Sequence, residues 1–173
     1  MLLPLIVVWV PEKHKTDYIV SIIVPDMTET DRIPYFPEYY EVVPSTNVLA
    51  AQFVKDDPPG WTVIWTGFQE EGKGQQGNRW ESNSGENLLA SWILYPRFLE
   101  PRQQFSLSVI NSLAIIDLLN EFGVQGRIKW PNDIFTGNKK IAGMLIENSI
   151  EGSYLLFSVI GTGLNVNQTV FSK

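Results

Sequence analysis

The sequence contains no cysteine and a single histidine, His14. Without cysteine the chain can form neither a thiol nucleophile nor a disulfide, and a Cys/His zinc site is excluded as well. A Ser-His-Asp relay would have to use His14, which lies in the charged segment PEKHK, far from any glycine-rich turn, and is interpreted as a surface residue. Any chemistry therefore depends on charge stabilisation and on positioning rather than on a histidine base.

A long hydrophobic run and an excess of basic residues are also missing. The apolar stretch MLLPLIVVWV ends at Pro11, short of the ~20 residues that span a bilayer, and lacks the basic leading region of a signal peptide. It is interpreted as a buried strand of a cytoplasmic protein. The net charge of −6 argues against a general affinity for nucleic acid, although local cations can still bind a small phosphate compound.

What is present is an ordinary globular composition. Apolar residues make up 44% and charged residues 18% of 173, which suits one domain with a sizeable core. A loop is predicted over residues 25–37, which contain three prolines. Strands are predicted where β-branched and apolar residues dominate, over 3–10, 17–24, 38–43, 61–66, 87–96, 127–130, 139–147 and 154–166.

Two segments predict helices. Residues 44–57 offer Ser45 or Thr46 as a cap, and residues 101–123 carry the strongest helical pattern, which ends at Gly123. The apolar residues that keep helical spacing in the second segment are Phe105, Leu107, Val109, Ile110, Leu113, Ile116 and Leu119. Since strands outnumber helices and neighbours suggest hairpins, the predicted fold is α+β, a mixed and largely antiparallel sheet with helices packed on one face.

The glycine-rich stretch WTGFQEEGKGQQGNRWES (65–82) nearly matches two nucleotide-binding motifs and satisfies neither. A P-loop needs a hydroxyl residue where this chain has Gly74, and a dinucleotide fingerprint needs a helix among its glycines. What remains is a long connection with bare backbone, the cations Lys73 and Arg79 and the aromatic face of Trp80, able to close over an anionic ligand. The alternative is a merely flexible connection, which a loop of this length disfavours.

The segment RIKWPNDIF (127–135) places Lys129 at a strand end before a turn at Pro131. Asn132 and Asp133 either only shape that turn or act on a ligand. On the functional interpretation, Asp133 is an oxygen ligand for Mg²⁺, and Lys129 and Asn132 face phosphate.

The segment TGNKKIAGMLIE (136–147) predicts a hairpin turn at Gly137-Asn138 followed by a strand. Lys140 is predicted to share one strand face with three apolar residues, which are Ala142, Met144 and Ile146. An ammonium group in that position needs a partner, unless the side chain reaches the surface. Gly143 would let a ligand or another backbone come close.

Taken together and in order, these segments resemble the biotin protein ligase family. The matching motifs are STN (45–47), GKGQQGNRW (72–80), KWPND (129–133), KKIAGMLIE (139–147) and GTGLNVN (161–167). The resemblance implies a reaction in which the biotin carboxylate attacks the α-phosphate of ATP with Mg²⁺ present, giving biotinyl-5′-AMP. A lysine of the biotin carboxyl carrier protein, a part of acetyl-CoA carboxylase or a related carboxylase, then receives the biotinyl group.

The resemblance also implies roles for individual residues. Those expected to bind biotin are Ser45, Thr46, Asn47, Gln69, Gly72, Lys73, Gly74, Gln75, Lys140 and Gly143. Those expected to bind ATP are Asn78, Arg79, Trp80, Lys129, Asn132, Gly163 and Asn165. Those expected to act in catalysis are Lys140, Lys73, Lys129 and Asp133, with Lys140 contacting both the biotinyl carboxyl and the α-phosphate and Asp133 holding Mg²⁺.

Two departures from the family pattern change these expectations. Many members write the loop as GRGRRGR, whereas this chain has Lys73, Gln75, Gln76 and Asn78 at arginine positions, which implies a weaker hold on the adenylate. Residues 36–173 are expected to form a catalytic domain without the C-terminal part found in the family, and residues 1–35 an extension without counterpart.

The extension is short and acidic, so neither DNA nor membrane binding is expected. A homodimer stays open, because related sheets pair edge to edge. Two alternative functions also remain, a lipoate–protein ligase-type acyltransferase and a non-catalytic fragment that binds biotin or its adenylate.

Overall fold

The computed structural model describes residues 36–171. The strands predicted over 3–10 and 17–24, the loop over 25–35 and the assignment of residues 1–35 as an extension lie outside that range. The described elements are β1 (Phe36–Val43), α1 (Thr46–Phe53), β2 (Thr62–Gln69), β3 (Asn87–Leu94), α2 (Phe105–Glu121), β4 (Arg127–Lys129), β5 (Asp133–Thr136), β6 (Lys139–Glu151) and β7 (Tyr154–Asn165).

All seven strands form one sheet in the order β1-β2-β3-β7-β6-β5-β4. Only β1 and β2 run parallel, and every other neighbouring pair is antiparallel, so the prediction of a mixed, largely antiparallel sheet is confirmed. The hairpin predicted at Gly137 is present, and a second hairpin joins β6 to β7. Gly137 connects β5 to β6 with φ 54°, and Gly152 connects β6 to β7 with φ 58°.

The helices lie on opposite faces of the sheet, so the prediction that both pack on one face is wrong. Val63 of β2 belongs to a core with Ile115 and Leu119 of α2, whereas its neighbour Ile64 packs with Ala50 of α1. Successive side chains of a strand point to opposite faces. Both faces of the central strands are apolar, so each face must be buried by another element. Helix α2 packs on one face and helix α1 on the other.

Helix α2 has the predicted extent but buries a different face from the one that its apolar spacing suggested. Leu107, Ile115 and Leu119 are buried, whereas the remaining large apolar residues of its N-terminal half are 42–47% exposed. These exposed residues are Phe105, Val109, Ile110 and Leu113. Gly123 closes the helix at φ 70° as predicted, and its N–H donates to Asn120 O over 3.0 Å.

Helix α1 begins where the sequence predicts, with Ser45 at the N-cap position. The Ser45 side chain makes no capping hydrogen bond, although its carbonyl oxygen accepts the first helical bond from Leu49 N–H at 3.0 Å. Ser45 is 2% exposed, and α1 packs against β2, β3 and β7. The first turn of α1 is therefore fixed by packing, which matters for the cavity in front of it.

Among residues 36–171, neither helix combines the length and the apolar character that a membrane crossing requires.

Candidate functional site

A cavity of about 400 Å³ opens on the face of the sheet that carries α1. Its walls are the start of α1, the end of β2, the loop of residues 72–80 (the glycine loop), the turn of residues 130–133, and strands β6 and β7. The predicted site residues that line the cavity are Ser45, Thr46, Asn47, Gln69, Lys73, Gly74, Gln75, Asn78, Arg79, Trp80, Asn132, Asp133, Lys140, Gly143 and Gly163.

Three predicted site residues are adjacent to the cavity lining without being part of it, and several residues of the lining were not predicted. Gly72, Lys129 and Asn165 do not line the cavity, although each adjoins a residue that does. The lining residues that the sequence did not single out as site residues are Gln76, Trp130, Pro131, Met144, Leu145, Gly161 and Thr162. All seven lie within the motifs quoted above, so their position inside a motif was the signal that could have found them.

A buried polar network closes one end of the cavity. Gln69 Oε1 accepts hydrogen bonds from Thr46 N (2.7 Å) and Thr46 Oγ1 (3.1 Å). Ser91 Oγ lies 2.7 Å from both Thr46 Oγ1 and Asn47 Oδ1, and Asn47 Nδ2 donates to Glu147 Oε2 over 2.7 Å. Thr46 and Asn47 are only 4% and 3% exposed. Because buried polar atoms need partners, this network fixes the orientation of the groups that a ligand would meet.

Ser91 offers a direct test of the network. Ser91→Ala leaves Asn47 Oδ1 without its hydroxyl partner, so the free energy of unfolding should fall by about 1–3 kcal/mol in a urea titration. Ser158→Ala is the matched control, since Ser158 is equally buried at 0% exposure but its Oγ has no hydrogen-bond partner among the described residues. The control should be neutral or stabilising. Equal losses in both variants would contradict a special role for Ser91.

Glycines make the floor of the cavity. Gly143 of β6 pairs directly with Gly163 of β7, and Leu145 pairs with Gly161. A Cβ at Gly143 would lie 2.8 Å from Trp80 Cζ3 and 2.9 Å from Lys140 Cε, and a Cβ at Gly163 would strike the Trp80 indole ring. Glycine is therefore needed here for close approach, which allows the Trp80 ring to pack directly against the two strands.

Lys140 and Asp133 form an ion pair beside that floor. Lys140 Nζ is 2.7 Å from Asp133 Oδ1 and 5.3 Å from the centroid of the Trp80 ring. The ion pair lacks the angular geometry of a hydrogen bond, so Asp133 Oδ1 is satisfied by charge alone. Lys129, which pairs with Asp133 across β4 and β5, places its Nζ 5.0 Å from the Phe135 ring centroid. The Asp133 carboxylate is thus paired with Lys140, whereas the Lys129 ammonium lies over an aromatic ring.

The predicted strand face of Lys140 is wrong, and a β-bulge is the reason. Ile134 pairs with Ala142, but the next residue of β5, Phe135, pairs with Lys140, so Ile141 is an extra residue in β6. A bulge of this kind reverses the alternation of the side chains that follow it. Lys140 therefore shares the cavity face with Gly143, whereas Ala142 and Met144 join the core beneath α2, and Met144 also borders the cavity.

Asn132 and Asn165 hold backbone around this site. Asn132 Nδ2 donates to Met144 O over 2.8 Å, so that donor is already used by the sheet. Asn165 Nδ2 donates to Lys140 O over 3.2 Å. Asn165 Oδ1 and Trp80 Nε1 are buried without a hydrogen-bond partner among the described residues, and both adjoin the cavity. A bound polar ligand would satisfy such groups.

Residues 36–171 contain no cluster of three or more His, Cys, Asp or Glu side chains that could enclose a metal ion. Asp133 is the carboxylate that lines the cavity. Mg²⁺ is commonly held by one or two carboxylates together with substrate phosphates, not by a cage of protein groups. The donors present fit that shared kind of site.

The same fold occurs in biotin protein ligases of known structure. The Aquifex aeolicus enzyme, solved in complex with biotin and ATP, matches with a TM-score of 0.65 and 27% identity over 80% of this chain and 55% of that chain. The Helicobacter pylori biotin acetyl coenzyme A carboxylase synthetase, solved with bound biotinylated ATP, gives 0.63 and 26% over 80% and 65%. The fold is thus that of a biotin protein ligase catalytic domain.

The chain belongs to the biotin/lipoate A/B protein ligase family, whose sequence model matches residues 39–165. The bifunctional ligase/repressor BirA of Bacillus subtilis is 33% identical over 132 residues, 75% of this chain and 40% of the relative. The biotin–[acetyl-CoA-carboxylase] ligase of Paracoccus denitrificans is 34% identical over 130 residues, 70% of this chain and 51% of the relative. The chain therefore spans about half, or less, of the length of these relatives.

Proposed function

We propose that the chain is the catalytic part of an ATP-dependent biotin–protein ligase. The observation that carries the proposal is the position of Lys140 Nζ, which lies between Asp133 and the Trp80 ring in the cavity of this fold. In the first step the biotin carboxylate attacks the α-phosphorus of ATP, and pyrophosphate leaves. In the second step a lysine amine of a carrier domain attacks the acyl carbon of biotinyl-5′-AMP, an amide forms, and AMP leaves.

Lys140 supplies charge and orientation for the first step. Two anions, a carboxylate and a phosphate, must approach each other, and negative charge develops on the phosphoryl oxygens. A fixed ammonium group in a partly desolvated cavity stabilises that charge and lowers the barrier. No general base is required in this step, because the substrate carboxylate is already ionised, which fits a chain without cysteine and with a single histidine.

The buried end of the cavity supports biotin over lipoate. The ureido ring of biotin carries two N–H donors and one carbonyl acceptor, whereas the dithiolane ring of lipoate carries none. Thr46, Asn47 and Gln69 present hydroxyl and amide groups at this end, held in place by Ser91 and Glu147. A buried site built from hydrogen-bonding groups strongly rejects an analogue that leaves them unpaired.

The exposed end of the cavity has the charges needed to bind a nucleoside triphosphate. Lys73 and Arg79 of the glycine loop line the cavity on one side, and Lys140 lines it on the other, in a protein of net charge −6. Asp133 would hold Mg²⁺ jointly with the phosphates, and the ion would supply further charge neutralisation there. Trp80 offers an aromatic face and an unsatisfied N–H for the adenylate moiety.

A transfer assay tests the proposal. Protein, labelled biotin, MgATP and an apo biotin carboxyl carrier domain are incubated together, and label on the carrier is measured by gel and mass spectrometry. Label should appear on the acceptor lysine, and a carrier with arginine at that lysine should remain unlabelled.

Two other results would identify the alternatives. Transfer of labelled lipoate without transfer of biotin would assign the chain to the lipoate ligases. Biotin-dependent pyrophosphate release without transfer would identify an adenylating fragment that lacks the surface needed for carrier binding. Four of the similar proteins carry the name ligase/repressor, and the absence of DNA binding stays a prediction for this chain.

A further inference from the structure

The tip of the glycine loop is a tight turn that its sequence fits poorly. Asn78 N–H donates to Gln75 O over 3.1 Å, and the two central residues, Gln76 and Gly77, have φ values of 55° and 81°. Positive φ at both central positions is the signature of a type I′ turn, which favours Asn-Gly. Glycine adopts this conformation freely, but in glutamine the Cβ opposes it.

Backbone hydrogen bonds hold this tip in place, and beside it Arg79 Nη2 donates to Glu70 O over 2.7 Å. Gly74 N–H donates to Asn78 O (2.7 Å) and Trp80 N–H donates to Gly72 O (2.9 Å), so Lys73 and Arg79 face each other in a short hairpin. The base of the hairpin is anchored by Trp80 on the glycine floor. Within the described part of the chain, no hydrogen bond joins the side chains at the tip to the body of the domain; these are Gln75, Gln76 and Asn78.

We propose that Gln76 is a positioning residue that keeps the glycine loop only marginally closed over the cavity. Its left-handed backbone conformation opposes the turn that the backbone bonds favour, so the closed and open forms are close in free energy. The site therefore releases its bound acyl-adenylate faster than a site with asparagine or glycine at this position would. The release of acyl-adenylate rests on the proposed function, whereas the effect of Gln76 on loop opening does not.

Trypsin measures loop opening without any ligand. Lys73 and Arg79 are exposed and flank the turn, and a protease must first open the hairpin to cleave beside them. Early cleavage products are assigned by mass spectrometry, so that cuts elsewhere serve as an internal reference. Gln76→Asn relieves the strain and should slow cleavage after these two residues about fivefold, whereas Gln76→Val should accelerate it.

Gln75→Asn is the matched control for the cleavage rate. It makes the same chemical change one residue earlier, where φ is not positive, and should alter the rate by less than about twofold. Equal rates for the wild type and Gln76→Asn would overturn the proposal. Equal slowing by Gln75→Asn would overturn it too, since the effect would then not depend on the backbone conformation of Gln76.

A second measurement separates this inference from the proposed function. Each protein is loaded with labelled biotin and MgATP, and loss of bound label is followed after dilution into unlabelled biotin. Gln76→Asn should retain label about fivefold longer. Slower proteolysis in a protein that binds no biotin would leave the role of Gln76 standing and reject the ligase function. Tight biotin binding, with proteolysis and release unchanged in Gln76→Asn, would support the ligase function and reject the role of Gln76.

Discussion

Replacing Lys140 with alanine should lower the rate of adenylate formation on the order of 100-fold and leave the unfolding transition almost unchanged. Lys140 Nζ is 2.7 Å from Asp133 Oδ1 and lines the cavity where, on the proposed mechanism, carboxylate and phosphate must meet. The side chain is 39% exposed, so its removal leaves no large cavity in the core. Biotin-dependent ATP–pyrophosphate exchange measures the rate, and urea denaturation measures the stability.

Lys139→Ala provides the control, because it removes the same charge from the adjacent residue. Lys139 is exposed and does not line the cavity, so its removal should change the exchange rate by less than about twofold. A similar loss in both variants would point to a general effect of net charge. Exchange close to the wild-type rate in Lys140→Ala would refute the role assigned to its ammonium group.

Gly163→Ala should disable the site through a steric clash rather than through loss of a functional group. The added methyl would strike the Trp80 ring, and the backbone cannot move away because Gly163 is paired with both Leu89 and Gly143. Trp80 must then leave the floor, which should lower adenylate formation at least ~10-fold and reduce the free energy of unfolding by about 1–3 kcal/mol.

Two further variants test that explanation. Gly60→Ala is the matched control, since its Cβ would meet only Tyr95 Cδ2 at 3.6 Å, an ordinary contact, and both activity and stability should stay near wild type. Trp80→Ala removes the clashing ring. In a protein that already carries Trp80→Ala, the Gly163→Ala substitution should therefore cost little further stability. If the two losses simply add, the clash with Trp80 is not the cause.

The strands could be predicted well from the sequence because β-branched and apolar runs mark them directly. The face of a residue could not always be predicted. Ile141 forms a bulge that turns Lys140 to the cavity, and nothing in the run KKIAGMLIE marks that bulge. In α2, apolar residues occur all around the helix, so spacing alone could not show that Ile115 is buried while Val109 is exposed.

In the candidate site, too, features that are local in sequence could be predicted and contacts between distant segments could not. The motifs located nearly every residue that lines the cavity, because their glycines, cations and amides are local in sequence. Ser91 and Glu147 were missed, since they act on Asn47 from 44 and 100 residues away along the chain. The register in which β3, β7 and β6 pair brings Ser91 and Glu147 close to Asn47. That register cannot be predicted from a single sequence.

The glycine floor also acts as a ruler. Asn47 lies against Gly161 and Trp80 lies against Gly163, two residues further along β7. The rise of an extended strand places these two contacts about 7 Å apart. The spacing between the Asn47 end of the cavity and the Trp80 ring is therefore set by the main chain of β7, which a single side-chain replacement does not change. On the proposed function, the strand itself therefore contributes to the length of the acid that the cavity accepts.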